Sequence, residues 1–197
     1  MVAGPNGSGK TTLVRSGALA ALTGPLPELS LNPDDIARSL REQMPAATEL
    51  EVVRLAQAES DGLVDRAILA RRSFLVETVL SSDKFRPRVT EALAGDFRFG
   101  LVFVTLRAAA LHVARVADRV VEGGHDVPTD RVLARRARSH AAFGWFASRA
   151  HRGLLIDNTG GPDLASAGPI LVAEKPDGRH GWQVYRPDIH PDLMAAL

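Results

Sequence analysis

The stretch Val2 to Thr12, VAGPNGSGKTT, constrains this chain more than any other. Gly4, Gly9, Lys10 and Thr11 fall at the spacing G-x-x-x-x-G-K-S/T, the phosphate-cradling loop that joins a strand to a helix. Glycine admits φ > 0 and close backbone approach, so successive N–H groups converge as an anion nest at the positive end of the following helix. Gly4, Asn6, Gly7, Ser8, Gly9, Lys10, Thr11 and Thr12 are therefore assigned to a nucleotide triphosphate. Lys10 is expected at the β and γ phosphates and the Thr11 hydroxyl on Mg2+. Only Met1, Val2 and Ala3 precede the loop, whereas a strand usually runs about five or six residues. The expectation is a truncated or mis-called start, or an unusually short first strand.

A chain of 197 residues is long enough for one sizeable core, and one domain over residues 1–197 is expected. Lys+Arg 24 against Asp+Glu 23 gives no reason to expect nucleic acid or an anionic membrane as partner. No cysteine occurs, so disulfides and thiolate chemistry are excluded. No charge-free apolar run approaches ~18 residues, and the phosphate loop sits where a signal peptide would lie, which makes a cytoplasmic location the expectation.

Apolar spacing at Leu13, Val14, Ala18, Leu19 and Leu22 predicts one helix after the loop. ELSLN reads as a short strand ending at Asn32, followed by a helix with Pro33 at its first position. Ala47 to Arg72 reads as a long helix or two joined ones, and SFLVET as a buried parallel strand. RFGLVFVTL is the most strand-like segment, apolar throughout. Helices over about 84–94, 108–122 and 128–148 follow the same logic, and GLLIDN is a further strand. PILVAEK and GWQVYRP predict a C-terminal β-hairpin over about 168–187. The fold class expected is α/β: a P-loop NTPase fold, a parallel sheet with helices on both faces, an arginine-rich helical lid over about 108–148, and the hairpin. Ligands of such sheets gather at the carboxyl ends of the strands.

Three constellations lie at those ends. In NPDD, Asp34 or Asp35 is placed to accept the proton of a substrate hydroxyl as it attacks phosphorus, although aspartate in a first helical turn is equally expected for capping. In FLVET, Glu77 has the position of a metal-holding strand-end acid, and Thr78 can cap the next segment. Asp157 in LLIDN competes for the same label, with Glu77 favoured by a short crossover to the first strand. Arg115 and Arg119 are spaced i, i+4, and Arg131, Arg135 and Arg138 i, i+4, i+7, each set lining one helix face around a Gly123-Gly124 hinge. Guanidinium suits growing phosphoryl charge, and Arg119 and Arg135 lead this set. With only Lys10, Lys84 and Lys175 as lysines, arginine is also the general surface cation here. His125 in the hinge has a loop-structuring reading beside a ligand one. The six histidines show no metal-ligand spacing, and Phe143, Trp145 and Phe146 read as core.

The ordered set GPNGSGKTT, NPDDIAR, ETVLSS, ARVADRVVEGGHDVP, RRARS and IDNT, spanning Val2 to Thr159, resembles the zeta-toxin family of P-loop kinases, particularly its small branch. The resemblance implies ATP-dependent, Mg2+-assisted phosphorylation of a small-molecule hydroxyl, with UDP-N-acetylglucosamine the acceptor of the best known members. It also implies the toxin of a toxin–antitoxin pair, hence an antitoxin protein as partner. By position, Lys10 matches the phosphate-loop lysine, Asp34 the base, Glu77 the acid near substrate and metal, with Thr78 beside it, and Arg119 and Arg135 the lid arginines. The larger toxins read E-G-T where this chain has Glu77-Thr78-Val79. A P-loop kinase for a nucleotide cofactor, nucleoside or antibiotic, a non-catalytic nucleotide-binding module, and a structural domain with a vestigial loop are the alternatives.

Overall fold

The computed structural model of the chain describes residues 1–121, 127–160 and 168–197. Five short apolar segments form the parallel part of one sheet: β1 (Val2–Ala3), β2 (Leu29–Leu31), β3 (Phe74–Thr78), β4 (Gly100–Thr105) and β5 (Arg152–Asp157). Their spatial order is β2-β3-β1-β4-β5, each pair parallel. Central strands buried on both faces need apolar residues at every position rather than at alternate ones, which is why FLVET and GLVFVT read as unbroken runs. β1 is the shortest of the five, yet it sits at the middle of the sheet between β3 and β4.

Two layers of helix bury the two faces. Ala3, Val76, Phe103 and Leu155 point into one core with Val64 and Ile68 of α4 (Glu49–Leu69), Phe85 and Val89 of α5 (Phe85–Ala94), and Phe143 and Phe146 of α7 (Thr129–Arg149). Val2, Leu75, Val104 and Ile156 point into the other, against Leu13 of α1 (Lys10–Arg15) and Leu19 of α2 (Ala18–Thr23). α4 is one continuous helix opened by a capping box between Thr48 and Glu51, which satisfies two of its orphan N–H groups. α3 (Pro33–Gln43) packs on it through Ala37, Val52 and Ala56, and α6 (Ala109–Val121) packs on α7 through Val116 and Val132.

Two expectations change and one element is new. The single helix expected after the phosphate loop is two, because the chain turns at Gly17, whose φ of 77° leaves the helical region. The C-terminal hairpin forms, β6 (Ile170–Lys175) with β7 (Gln183–Val184), but β6 also pairs antiparallel with β5 and so widens the main sheet. A short helix, α8 (Pro191–Met194), follows it and had no sequence expectation. The Gly123-Gly124 hinge and His125 lie outside the described residues.

Candidate active site

The carboxyl ends of β1 to β5 meet at one edge of the sheet, and every constellation singled out in the sequence comes from that edge. The loop after β1 needs glycine at three places, one of them Gly7 (φ 71°), where a Cβ would lie 2.7 Å from the His112 carbonyl oxygen. A Cβ on Gly4 (φ 141°) would lie 2.0 Å from the Val104 carbonyl oxygen of the neighbouring strand, and one on Gly9 (φ 90°) would lie 2.2 Å from Asn158 Nδ2. All three positions combine a left-handed or extended-positive backbone with contact on a neighbour.

The loop is held from behind by two side chains. Asn158 Nδ2, just past β5, donates to the Ser8 carbonyl at 2.9 Å. His112 of α6 touches the Asn6 carbonyl through Nδ1 at 2.8 Å, while its Nε2 accepts from the Leu106 N–H at 3.3 Å. An acceptor at Nε2 leaves the proton on Nδ1, which therefore donates to Asn6, and the ring is neutral. Burial pushes the His112 pKa down to about 4, outweighing the opposing bond to Asn6. Thr105 Oγ1 lies 3.5 Å from His112 Nε2 and 2.9 Å from His140 Nε2, and His140 Nδ1 is 2.7 Å from Asp192 of α8. A polar chain thus runs through the interior from the phosphate loop to α8.

In front of the loop, Lys10 Nζ donates to the carbonyls of Gly4 (2.8 Å) and Pro5 (3.0 Å). Burial pushes its pKa down to about 8, with Glu77 and Asp34 pulling it up and Arg119 pushing it further down. Thr11 Oγ1 donates to Glu77 Oε2 at 2.7 Å. Asn32 completes this group: its Nδ2 donates to Thr11 Oγ1 at 3.4 Å, and its side-chain oxygen caps α3 by accepting from the Asp34 N–H. Two hard oxygen donors converge, the Thr11 hydroxyl and the Glu77 carboxylate. Magnesium takes one or two carboxylates together with phosphate oxygens and water, so the set fits it. Among the described residues no group of three or more histidine and acidic side chains could form a metal cage.

Asp34 and Asp35 part company at the start of α3. Asp35 is engaged by Arg15 and, at 3.2 Å, by Arg38. Asp34 faces Arg119, 4.0 Å away, and its side chain is 76% exposed. Arg135 lies in the same field: burial lowers its pKa, Arg131 and Arg138 add to this, and Asp34 opposes them. Arg115 and Arg138 are committed to backbone carbonyls, of Thr159 (3.1 Å) and Ser81 (3.0 Å). Thr78 Oγ1 accepts from the Leu80 N–H at 3.1 Å, a local turn cap at the end of β3.

Asp157, the rival strand-end acid, is fully buried. Its carboxylate meets His190 Nε2 at 2.8 Å and accepts from Thr159 Oγ1 at 2.9 Å. Burial pushes this carboxyl up, but the bonds from His190 and Thr159 outweigh it and hold the pKa below the usual range. Asn32, Asn158 and His112 are the residues sequence reasoning missed. Asn32 alone left a signal, as the cap preceding Pro33. Among the described residues no helix is long and apolar enough to cross a membrane.

The whole fold is similar to the crystal structure of AvrRxo1-ORF1:-ORF2 with ATP, at a TM-score of 0.73 and 14% identity over 99% of this chain. This chain spans 62% of the length of that one. A second solved structure, a Chloroflexus aurantiacus protein described only provisionally as a kinase, is 17% identical over 70% of this chain and 74% of its own, with a TM-score of 0.47. An uncharacterized Haemophilus influenzae protein is 30% identical over 132 residues, which is 67% of this chain and 87% of that protein. Residues 1–142 match the family model AAA_33, described as an AAA domain, so the phosphate loop, the acid of β3 and the arginines of α6 all fall within the match, and the chain belongs to this family of P-loop NTPases.

Proposed function

We propose that this chain is an ATP-dependent small-molecule kinase of zeta-toxin type, transferring the γ-phosphoryl group to a hydroxyl of a sugar nucleotide or related metabolite. The observation that carries the reading is the grouping of Lys10, the Thr11–Glu77 pair and the Asp34–Arg119 pair at one sheet edge. A nucleotide-binding module needs the first two; an exposed carboxylate facing an arginine across the nucleotide site is what phosphoryl transfer to an alcohol adds. The AvrRxo1-ORF1:-ORF2 structure, which shares the fold, contains ATP, and that supports ATP as the nucleotide here.

In this reading the loop amides and Lys10 orient the triphosphate, and Thr11 with Glu77 would hold Mg2+. The metal would supply charge neutralisation between the β and γ phosphates. Asp34 accepts the proton of the acceptor hydroxyl as its oxygen bonds to the γ phosphorus and the bond from that phosphorus to the β–γ bridging oxygen breaks. Arg119 and Arg135 balance the charge on the transferring group. Thr78 lines the acceptor side beside Glu77. Positioning and electrostatics do most of this work.

The experiment is transfer of label from γ-labelled ATP to UDP-N-acetylglucosamine and a panel of nucleotide cofactors, nucleosides and aminoglycosides, beside Asp34→Asn. Label on one acceptor that vanishes in the variant supports the reading and names the substrate. Label released only as phosphate at equal rates in both proteins would replace it with a binding module. The toxin reading, with an antitoxin partner, has its own test: growth arrest on expression that Lys10→Ala relieves supports it, and unimpaired growth at high expression removes it.

A further inference from the structure

Two carbonyls of the phosphate loop are drawn toward buried side chains, and what holds those side chains leads in both cases to α8. A trans peptide is planar, with its C=O and the following N–H on opposite sides. The Asn6 carbonyl, bound to His112 Nδ1 at 2.8 Å, therefore turns the Gly7 N–H the other way, and the Ser8 carbonyl, bound to Asn158 Nδ2 at 2.9 Å, does the same for the Gly9 N–H. Among the described residues neither N–H donates to a backbone carbonyl, which leaves both to an anion in the nest.

Behind each carbonyl stands a chain of contacts. One runs from Asn6 through His112, Thr105 and His140 to Asp192 Oδ2, which lies 2.7 Å from His140 Nδ1. The other runs from Ser8 through Asn158 and its neighbour Asp157 to His190 Nε2, 2.8 Å from the Asp157 carboxylate. Asp192 lies in the first turn of α8, and His190 is its N-cap.

The first chain has a fixed polarity. Partial burial pushes the Asp192 carboxyl up, but the bond from His140 outweighs it and holds the pKa below the usual range, so Asp192 is a carboxylate that only accepts. It keeps the His140 proton on Nδ1, which leaves Nε2 to accept the Thr105 hydroxyl hydrogen at 2.9 Å. His112 Nε2 then has the Leu106 N–H to itself. The other His140 tautomer would donate to Thr105 and turn that hydroxyl hydrogen toward His112 Nε2, where it competes with Leu106 for a single lone pair. In the second chain His190 holds a φ of 56°, a costly conformation for a residue other than glycine. With Asp157 held by His190 and by the Thr159 N–H and hydroxyl, the turn carrying Asn158 is pinned on both sides.

We infer that Asp192 and His190 are positioning residues for nucleotide binding: through these two chains α8 sets how the Gly7 and Gly9 N–H groups converge on a phosphate. The inference rests on the phosphate loop holding a nucleotide and is independent of the acceptor and of phosphoryl transfer.

The test is a set of double-mutant cycles read by ATP calorimetry. Asp192→Asn keeps the shape of a largely exposed side chain, and Thr105→Val cuts the first chain at its middle. Asp192→Asn is expected to weaken ATP binding about fivefold in the wild-type and Asn158→Ala backgrounds, near the worth of one hydrogen bond, but less than about 1.5-fold beside Thr105→Val. His190→Asn, whose side chain suits a left-handed backbone, should show the reverse: a loss that persists beside Thr105→Val and disappears beside Asn158→Ala. In spectra of the nucleotide-free protein, Asp192→Asn should move the Gly7 amide resonance and His190→Asn that of Gly9. Losses of affinity that are equal in every background, or no loss at all, overturn the inference. A wild-type protein that binds no ATP overturns the nucleotide reading of the loop itself, and this inference with it.

Discussion

Thr11 Oγ1 donates a 2.7 Å hydrogen bond to Glu77 Oε2 across a sequence separation of 66 residues. The bond fixes the hydroxyl of the phosphate loop against the acid of the adjacent strand before any nucleotide arrives. Glu77→Gln keeps the shape and removes the charge. It is expected to cut kcat roughly 100-fold, the scale of losing one electrostatic contact to the reacting group, and to change ATP affinity in the absence of Mg2+ by less than about threefold. Steady-state kinetics beside calorimetry with and without Mg2+ check it; an unchanged kcat would move the metal-holding role elsewhere.

Lys10 gives nucleotide binding a pH dependence with a definite sign. Its ammonium has a pKa of about 8 in the folded protein, well below the ordinary 10.5, with burial the main cause. Triphosphate favours the charged form, so affinity is expected to be flat below about pH 8 and to fall above it, approaching tenfold per pH unit. Titration of ATP affinity from pH 6.5 to 9.5 tests this. Lys10→Met should bind weakly with the alkaline limb gone, and a wild-type profile level to pH 9.5 would contradict the assignment.

Gly9 and Asn158 form a lock and its seat. Gly9→Ala brings a Cβ against Asn158 Nδ2 at a φ of 90°, and a non-glycine residue held there costs on the order of 1–3 kcal/mol. Asn158→Ala instead removes the bond to the Ser8 carbonyl and is expected to weaken ATP binding about tenfold, near the cost of leaving one buried group unpaired. Denaturant melts and calorimetry on the two variants separate the effects: the first loses stability, the second mainly affinity.

His112 sets an acid limit. Its folded pKa of about 4 lies below the ordinary 6.5, so in the interval between them the unfolded chain binds a proton that the folded chain refuses. Its contribution to stability is complete above pH 6.5 and is lost as pH falls toward 4, at up to about 1.4 kcal/mol per pH unit. His140 is shifted in the same direction, chiefly by burial, and steepens the slope. His112→Gln should be less stable at pH 7 and lose less on going to pH 4.5; urea midpoints at the two values decide, and parallel losses in variant and wild type would refute the role.

The phosphate loop was legible because its chemistry is local: glycines, lysine and threonine act within eight residues on one ligand, and spacing alone encodes them. The sheet was legible because buried parallel strands are apolar at every position. Asn158 and His112 were not, since each meets the loop across more than 100 residues and depends on strand register that one sequence does not display. The histidines were read for metal spacing, whereas His112, His140 and His190 act singly, each as a buried hydrogen-bonding partner. The break at Gly17 hid within an apolar pattern that runs on through it, and β6 gave no sign of which strand it would join.

His190, whose contact with Asp157 spans 33 residues, ties the order of synthesis to completion of the site. A chain made from its amino end produces the phosphate loop long before residue 190, whose imidazole the buried Asp157 carboxylate needs. Until then, among the described residues, Asp157 has only Thr159 and Arg107 as its partners. The nascent protein therefore carries the whole nucleotide-binding signature well before the residue that closes the Asp157 contact has been made.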